Sequence, residues 1–480
     1  MITVGFFRAA LPVPLGVPLG GNARDDKGAR GTHDEIHATV LAIERDAACS
    51  VLIGLDLLSA PTALVERIRL SVGARLDVFA DVDVFATHTH SGPDVTRGMG
   101  FDAHDYSPVD RWEVASVELI ADAVATAWAR REPAVLSVGH VELPGVAFNR
   151  RLLTASGELV MNWARVDPAV VVRTEGIVDE ELLLLRFDSP DGRPLGALLH
   201  FALHPAVLVG QDWLVSADFV AGASAAVSAA LAGAPVIYAS GALGDINHLD
   251  YTLAERSGGF AEAERIGKLV GDAAVVAARD ARALEWLDSA NVEHTVMTVA
   301  LRQRTVDEAT LIAAERLAAD RDAVTDLLDG IPPKSYAIWT VSRGRHLTEM
   351  LPVDVSLLIV GRIVFVFVPF EVFSAFGLRL KFAFPDLFVK VVSLAGGGLG
   401  YLPTRIAFAH GGYEPTLGTS TIAPGEGEAL FDAVEDRLRS RFPHSRPHAA
   451  RHGDVSLLDR PHPDQDSGRL ADAGRERIDR

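Results

Sequence analysis

Two histidines two residues apart close the stretch "DVDVFATHTHSGPD" at residues 81–94. If residues 81–87 are extended, His88 and His90 project to one side of the chain and Thr89 to the other. Neutral imidazole is a common zinc ligand, and a second imidazole beside it can hold a proton or orient its partner. The plainer alternative is a pair of loop histidines satisfied by hydrogen bonds. A similar feature recurs in "LLHFALHPAVL" at 198–208. There His200 and His204 share a face if the segment is a strand, and His204 ends it just before Pro205. Two strands that both end in histidine make a shared metal ion a coherent reading.

Glu371, in "VFVPFEVF" (366–373), is an isolated carboxylate in apolar company. Burying it requires a cation or a proton; the alternative is a glutamate at the start of a helix. "YASGALGDINHLD" (238–250) runs from β-forming residues into a glycine-rich turn carrying Asp245, Asn247 and His248, which also reads as an ordinary turn. Several familiar chemistries are absent. There is no H-E-x-x-H helix and no G-x-S-x-G elbow, which argues against a zincin and an α/β-hydrolase. The glycines of 394–421 are followed by Pro403 and lack a Lys-Ser/Thr pair, so they read as tight turns around a site.

The elements that must present these residues alternate along the chain. Residues 50–59 read as a buried strand, 61–76 as a helix with Leu64, Ile68 and Val72 on one face, and 81–87 as the next strand. A strand, a helix and a strand in this length make a βαβ unit with a parallel pair. Ligands in such sheets sit beyond the carboxyl ends of strands, where His88 and His90 fall. Helices are expected at 110–131, 219–233, 259–283 and 307–328. Strands are expected near 135–141, 182–187, 195–203 and 235–240, and on both sides of a Gly361–Arg362 turn. The fold class is α/β: a mixed, partly parallel sheet with flanking helices and a metal site at the carboxyl ends of its strands. Residues 1–443 form the catalytic unit, within which the more polar 285–350 is a candidate inserted lobe. The His-, Arg-, Asp- and Pro-rich 444–480 reads as a disordered tail.

Composition bounds the function. Of 480 residues, 49% are hydrophobic and 23% charged, as in a globular protein with a large core. The net charge of −19 repels phosphate backbones and argues against a nucleic-acid partner. No apolar run reaches the ~18 residues of a membrane helix, so no transmembrane segment is expected. The prolines and glycines near the N-terminus do not suit a signal peptide, which points to the cytoplasm. The one cysteine, Cys49, lies in an apolar run and reads as a small core residue. The eight phenylalanines of 365–388 suit core packing, with an acyl pocket as the alternative. The oligomeric state is left open.

Taken in order, "ATHTHSGPD", "FNRR" (148–151), "HFALHPAVL", "SADF" (216–219), "SGALGDIN", "VPFE" and "GGYEPTLGTST" resemble the neutral/alkaline (non-lysosomal) ceramidase family over roughly residues 3–440. "GTHDEIHATVLAI" near the start is similar to that family too. The resemblance implies a zinc ion held by His88, His204, Glu371 and Tyr413. It implies that His90 contacts the reacting groups and that Arg150 stabilises the oxyanion. Tyr413 and Arg150 rest on the resemblance alone. Asn247 stands where the ceramidases carry a serine often given a catalytic role. The chain also shows neither their β-rich C-terminal domain nor their secretion signal. These departures concern the substrate and leave the metal set in place.

The expectation is a zinc-dependent amide hydrolase acting on a small-molecule N-acylated amine, ceramide-like or a related acyl-amide. Water activated by the metal attacks the carbonyl, with His90, Arg150 and Asn247 as the candidate catalytic residues. The alternatives are an amide or ester hydrolase or acyltransferase of specialised metabolism on the same scaffold, and a metal-binding protein without turnover.

Overall fold

The computed structural model describes residues 2–21, 28–46, 48–97, 105–164, 166–209, 211–253, 258–283, 291–320 and 331–445. The tail expected beyond 443 lies, past Ser445, outside the described residues. Three sheets carry the fold. The first is built from β1 (Thr3–Ala10), β2 (His37–Arg45), β3 (Ala48–Leu55) and, after helix α1 (Thr62–Gly73), β4 (Asp81–Ala86). The order is β4-β3-β2-β1, antiparallel except for the parallel β3–β4 pair, which is the βαβ unit the sequence implies. Helix α2 (Ser107–Ala129) and α1 cover one face, burying Val65, Ile68, Trp112, Ile120 and Val124 against Val40, Val51 and Ile53.

The second sheet contains β5 (Val135–Glu142), β6 (Glu181–Asp188), β7 (Pro194–Phe201) and, after α3 (Phe219–Ala230), β8 (Val236–Ser240). Its order is β8-β7-β6-β5, and β7–β8 is again a parallel pair. Helices α3 and α4 (Phe260–Asp280) cover its outer face. The third sheet follows: β9 (Val292–Arg302), then α5 (Glu308–Ala319) and α6 (Pro333–Gly344), then β10 (Met350–Val360), β11 (Ile363–Phe367), α7 (Ser374–Ala383) and β12 (Phe388–Val392). The expected turn at Gly361 joins β10 to β11 with φ +62°, and β11–β12 is parallel. After the short α8 (Arg405–His410), α9 (Glu426–Arg441) packs with α7 on this sheet's outer face.

The inner faces of all three sheets share one core, in which Phe6, Leu41, Leu52 and Phe85 meet Leu183, Leu198, Ile237, Leu358, Phe365 and Phe367. Leu, Ile and Phe runs without polar alternation give strands that are buried on both faces. The phenylalanines of 365–388 serve this packing: Phe365 and Phe367 lie in the inner core, and Phe370, Phe373, Phe376 and Phe384 lie under the helices. Each sheet therefore owns one parallel strand pair, and one strand of each pair runs out toward a common point.

A candidate metal centre where three sheets meet

His88 lies two residues beyond β4, His204 three beyond β7 and Glu371 four beyond β11. His88 adopts φ +76°, an uncommon conformation for a residue with a Cβ, and its backbone N–H bonds Leu57 O at 2.9 Å. Strain of this kind collects where a side chain must be aimed. The alternation expected of His-Thr-His is realised. Thr89 points away and donates to Ser216 O at 2.7 Å, while the rings of His88 and His90 meet with centroids 5.0 Å apart. The Ser-Gly-Pro-Asp turn is clamped by the N-terminal loop, where Gly20 N–H bonds Gly92 O and Asp94 N–H bonds Pro18 O. Gly21, at φ +79°, lies against the His90 ring so closely that a Cβ there would sit 2.5 Å from Nδ1.

Asp218 of "SADF" fixes the loop after His204. Its carboxylate caps α3 at Phe219 N–H and accepts from Val207 and Leu208 N–H, both at 3.0 Å. His200, by contrast, stays within β7 and bonds Val391 O through Nε2 at 2.8 Å, so it belongs to the packing between sheets. Glu371 is placed by a short parallel ladder, Glu371–Val372 beside Tyr401–Leu402, with Glu371 opposite Tyr401. Gly244 allows this approach, since a Cβ there would stand 2.5 Å from Glu371 O.

The three side chains converge. His88 Nε2 is 2.8 Å from His204 Nε2 and 3.3 Å from Glu371 Oε2, which is 3.8 Å from His204 Nε2. His88 Nδ1 lies 2.6 Å from Leu58 O, and His204 Nδ1 3.4 Å from Leu243 O. A carbonyl only accepts, so each Nδ1 carries the proton and each neutral ring turns a lone pair on Nε2 toward the other. Two lone pairs and a carboxylate oxygen at this distance repel one another unless a cation lies between them. Glu371 Oε2 is buried and makes no well-aligned hydrogen bond. This nitrogen and oxygen donor set, with carbonyls behind both imidazoles, fits a zinc-type divalent ion.

His90 stands beside them, and nitrogens of His88, His90 and His204 all lie within 4.8 Å of one another. Desolvation, reinforced by His88, lowers the His90 pKa to about 3, so the ring is neutral. Desolvation and the neighbouring cationic groups also hold His204 well below its usual range. Burial pushes the Glu371 carboxyl up, but His88, Tyr401 and Arg150 outweigh it and hold the group below its ordinary value.

Arg150 is also at the site. Its backbone N–H bonds Asp245 O at 2.8 Å, and its guanidinium lies 5.1–5.8 Å from the ring centres of Trp163, Tyr401 and Tyr413. Glu414 holds it, with Arg150 Nε to Oε1 at 2.7 Å and Arg151 Nη1 to Oε2 at 2.5 Å. Arg150 Nη2 is buried without a hydrogen-bond partner, a donor aimed at no protein atom. Tyr413 is brought to the same cluster, 5.5 Å from Tyr401 between ring centres, and burial beside Glu371 raises its pKa. The hydroxyl that hydrogen-bonds Glu371 is that of Tyr401, a residue sequence reasoning did not single out. Its signal was present in the glycine-rich "GGGLGYLP", read only as turns around a site. Glu414, Trp163 and Arg343 were likewise missed.

Asn247 has a different setting. Its amide exchanges bonds with Asn162, Nδ2 to Oδ1 at 2.7 Å and Oδ1 from Nδ2 at 2.8 Å, and its Oδ1 also accepts from Leu249 N–H. Asp245 accepts from Asn149 and from Ser374, and so locks the same turn to the strand that carries Arg150. The centre thus has a buried floor of His88, His204, Glu371, Tyr401 and Arg150, and a partly exposed rim of His90, Trp163, Tyr413 and Arg343.

Residues 13–241 match the family described as neutral/alkaline non-lysosomal ceramidase, N-terminal. No curated protein sequence matches the chain. Among solved structures, the neutral ceramidase from Pseudomonas aeruginosa is similar over 95% of this chain and 76% of its own, at 20% identity and a TM-score of 0.69. A structure described as ceramidase complexed with C2 is similar over 95% of this chain and 77% of its own, at 19% identity and a TM-score of 0.66. His88, His90, Arg150 and His204 fall inside the matched segment, and Glu371, Tyr401 and Tyr413 lie beyond it. Over residues 13–241 the chain carries the N-terminal domain of the neutral/alkaline non-lysosomal ceramidases, and as a whole it has the fold of the neutral ceramidase structures.

Proposed function

We propose that the chain hydrolyses the amide bond of an N-acylated amine, with zinc held by His88, His204, Glu371 and a tyrosine of the Tyr401–Tyr413 pair. The observation that carries this reading is the convergence of two Nε2 lone pairs and a buried carboxylate on one point. A bound zinc ion supplies Lewis-acid polarisation of the amide carbonyl and brings the pKa of water down to about 7. The residues of the chain do the rest. His90, kept neutral, takes the proton from the attacking water and passes it to the leaving amine. Arg150, fixed by Glu414, turns its Nη2 donor to the oxygen on which negative charge develops. The rings of Trp163, Tyr401 and Tyr413 lie against Arg150 and offer an apolar wall to the acyl chain.

Asn247 holds the turn through Asn162, and no hydroxyl stands in its place to accept an acyl group. Direct attack by water on the amide is therefore the proposed course, without a covalent acyl-enzyme. The catalytic unit is residues 1–443, because the site draws on residues from His88 to Glu414. Zinc-loaded protein should hydrolyse members of a panel of N-acyl amides and ceramides of different chain length. His90→Ala should keep the metal and lose most turnover. Absence of hydrolysis across amides and esters by zinc-loaded protein would leave a metal-binding protein without turnover.

A further inference from the structure

The rim of the site is completed by a helix that the family match does not reach. Tyr336, Trp339 and Arg343 are spaced at i, i+3 and i+7 on α6, so they share one face. That face lies on the metal centre: the Tyr336 and Trp339 ring centres are 6.3 and 6.2 Å from that of Tyr413. Gly418 makes room for it, as a Cβ there would come within 2.3 Å of the Trp339 side chain. One turn further on, Arg343 Nη1 reaches Leu399 O at 3.4 Å and sits 2.7 Å from where a Cβ of Gly400 would be. Gly400 precedes Tyr401, and its carbonyl accepts Glu371 N–H, so this guanidinium is placed beside the site.

The charges already present have assigned partners. Arg150 and Arg151 share Glu414, and Arg151 also holds Glu175. Glu371 is the carboxylate whose field Arg343 feels, and it faces the two imidazoles. Desolvation keeps Arg343 below the usual arginine range in spite of Glu371, Tyr413 and Tyr401, so further negative charge at the rim is favoured. Arg343 is partly exposed, open to a molecule entering from solvent.

We propose that Arg343 binds a carboxylate on the amine side of the substrate, so that the preferred substrate class is N-acyl amino acids and not neutral acyl-amides. In such a substrate the carboxylate carbon stands two bonds from the amide nitrogen, which puts an anion at the rim while the carbonyl faces the floor. Arginine suits this task because its planar fork pairs with both carboxylate oxygens. The inference rests on the amide-hydrolase reading and can fail separately from it.

N-lauroylglycine and N-lauroylethanolamine test it, since they share the acyl chain and differ by a carboxylate against a hydroxymethyl group. Wild-type protein should favour the glycine conjugate by ~10–100-fold in kcat/KM, the range expected of one charge-assisted contact. Arg343→Gln should cut the preference to within about threefold, and Arg343→Lys should retain most of it. Equilibrium binding of the two ligands to metal-stripped protein gives a readout without turnover. If neither ligand is hydrolysed but the glycine conjugate still binds more tightly in an Arg343-dependent way, this inference stands and the hydrolase reading falls. If wild type hydrolyses or binds both alike, the inference is overturned whatever the variants do. An unchanged preference in a folded Arg343→Gln protein overturns it as well.

Discussion

Glu414→Gln is the substitution with the most to reveal about how the site is held. Glu414 is fully buried and lies between two arginines, Arg150 at 2.7 Å and Arg151 at 2.5 Å. Removing its charge has unequal consequences for the two. Arg151 keeps Glu175 at 2.5 Å and the carbonyls of Ala407 and Gly411. Arg150 loses its carboxylate and keeps its bond to Tyr401 and its stacking on the site's rings. One buried guanidinium is left uncompensated, which takes the low end of the range for breaking a buried pair, about 3 kcal/mol. With an unfolding entropy of about 2.1 cal/mol/K per residue over roughly 400 ordered residues, that is a fall of roughly 3–4 °C in Tm. Melting curves at one fixed scan rate measure it, because a chain of this size unfolds irreversibly in many cases. Arg150, no longer anchored, should also lose its aim, at a cost of ~10–100-fold in kcat with a smaller change in KM. A double-mutant cycle with Arg150→Met should return a coupling above about 1 kcal/mol. A Tm within 1 °C of wild type together with unchanged kcat would refute the reasoning.

Tyr401→Phe removes the hydroxyl bonded to Glu371, and zinc affinity should fall ~10–100-fold, as for other groups that orient a metal ligand; an unchanged Kd would mean that Tyr401 only packs. Asn247→Ala breaks both bonds to Asn162 and should cost about 1–3 kcal/mol in denaturant unfolding while leaving a measurable rate. A folded Asn247→Ala protein with no activity would make Asn247 catalytic. His294 joins the first and third sheets, with Nε2 2.9 Å from Asp83 and Nδ1 3.4 Å from Asp81. Burial lowers its pKa, but the two aspartates outweigh this and raise it above 6.5. Its stabilisation is therefore complete below the unfolded pKa and is lost as pH rises through the folded one. The Tm advantage of wild type over His294→Gln should shrink from pH 6 upward, and a gap that widens with pH would contradict this.

Much of the architecture was legible because its strands are unbroken apolar runs and its helices carry clear periodicity. The βαβ unit from Ala48 to Ala86, the turn at Gly361 and helices α3 and α4 lie where pattern placed them. Strand β9 was harder, since "VEHTVMTVALR" is an edge strand with Glu, His and Thr on its exposed positions. Helix α6 was missed because "PKSYAIWTVSRG" is rich in β-formers, and its helical state is fixed by the packing of Tyr336 and Trp339 on Tyr413. At the site, His88, His204 and Glu371 stood out singly because each ends or follows a strand. Their shared point is a property of three sheets meeting, which no local pattern contains. Tyr401 reaches Glu371 through a two-residue ladder between segments thirty positions apart, and Glu414 reaches Arg150 across more than 260. Only tertiary structure brings such pairs together.

The claim on which the account depends is that His88, His204 and Glu371 hold one zinc ion. Metal analysis of purified protein, alongside zinc titration of chelator-stripped protein, tests it directly. The account predicts about one zinc per chain in the wild type and none retained after dialysis in His88→Ala, His204→Ala or Glu371→Ala variants that still melt cooperatively. Stoichiometric zinc retained by a folded His88→Ala/His204→Ala double variant would contradict it.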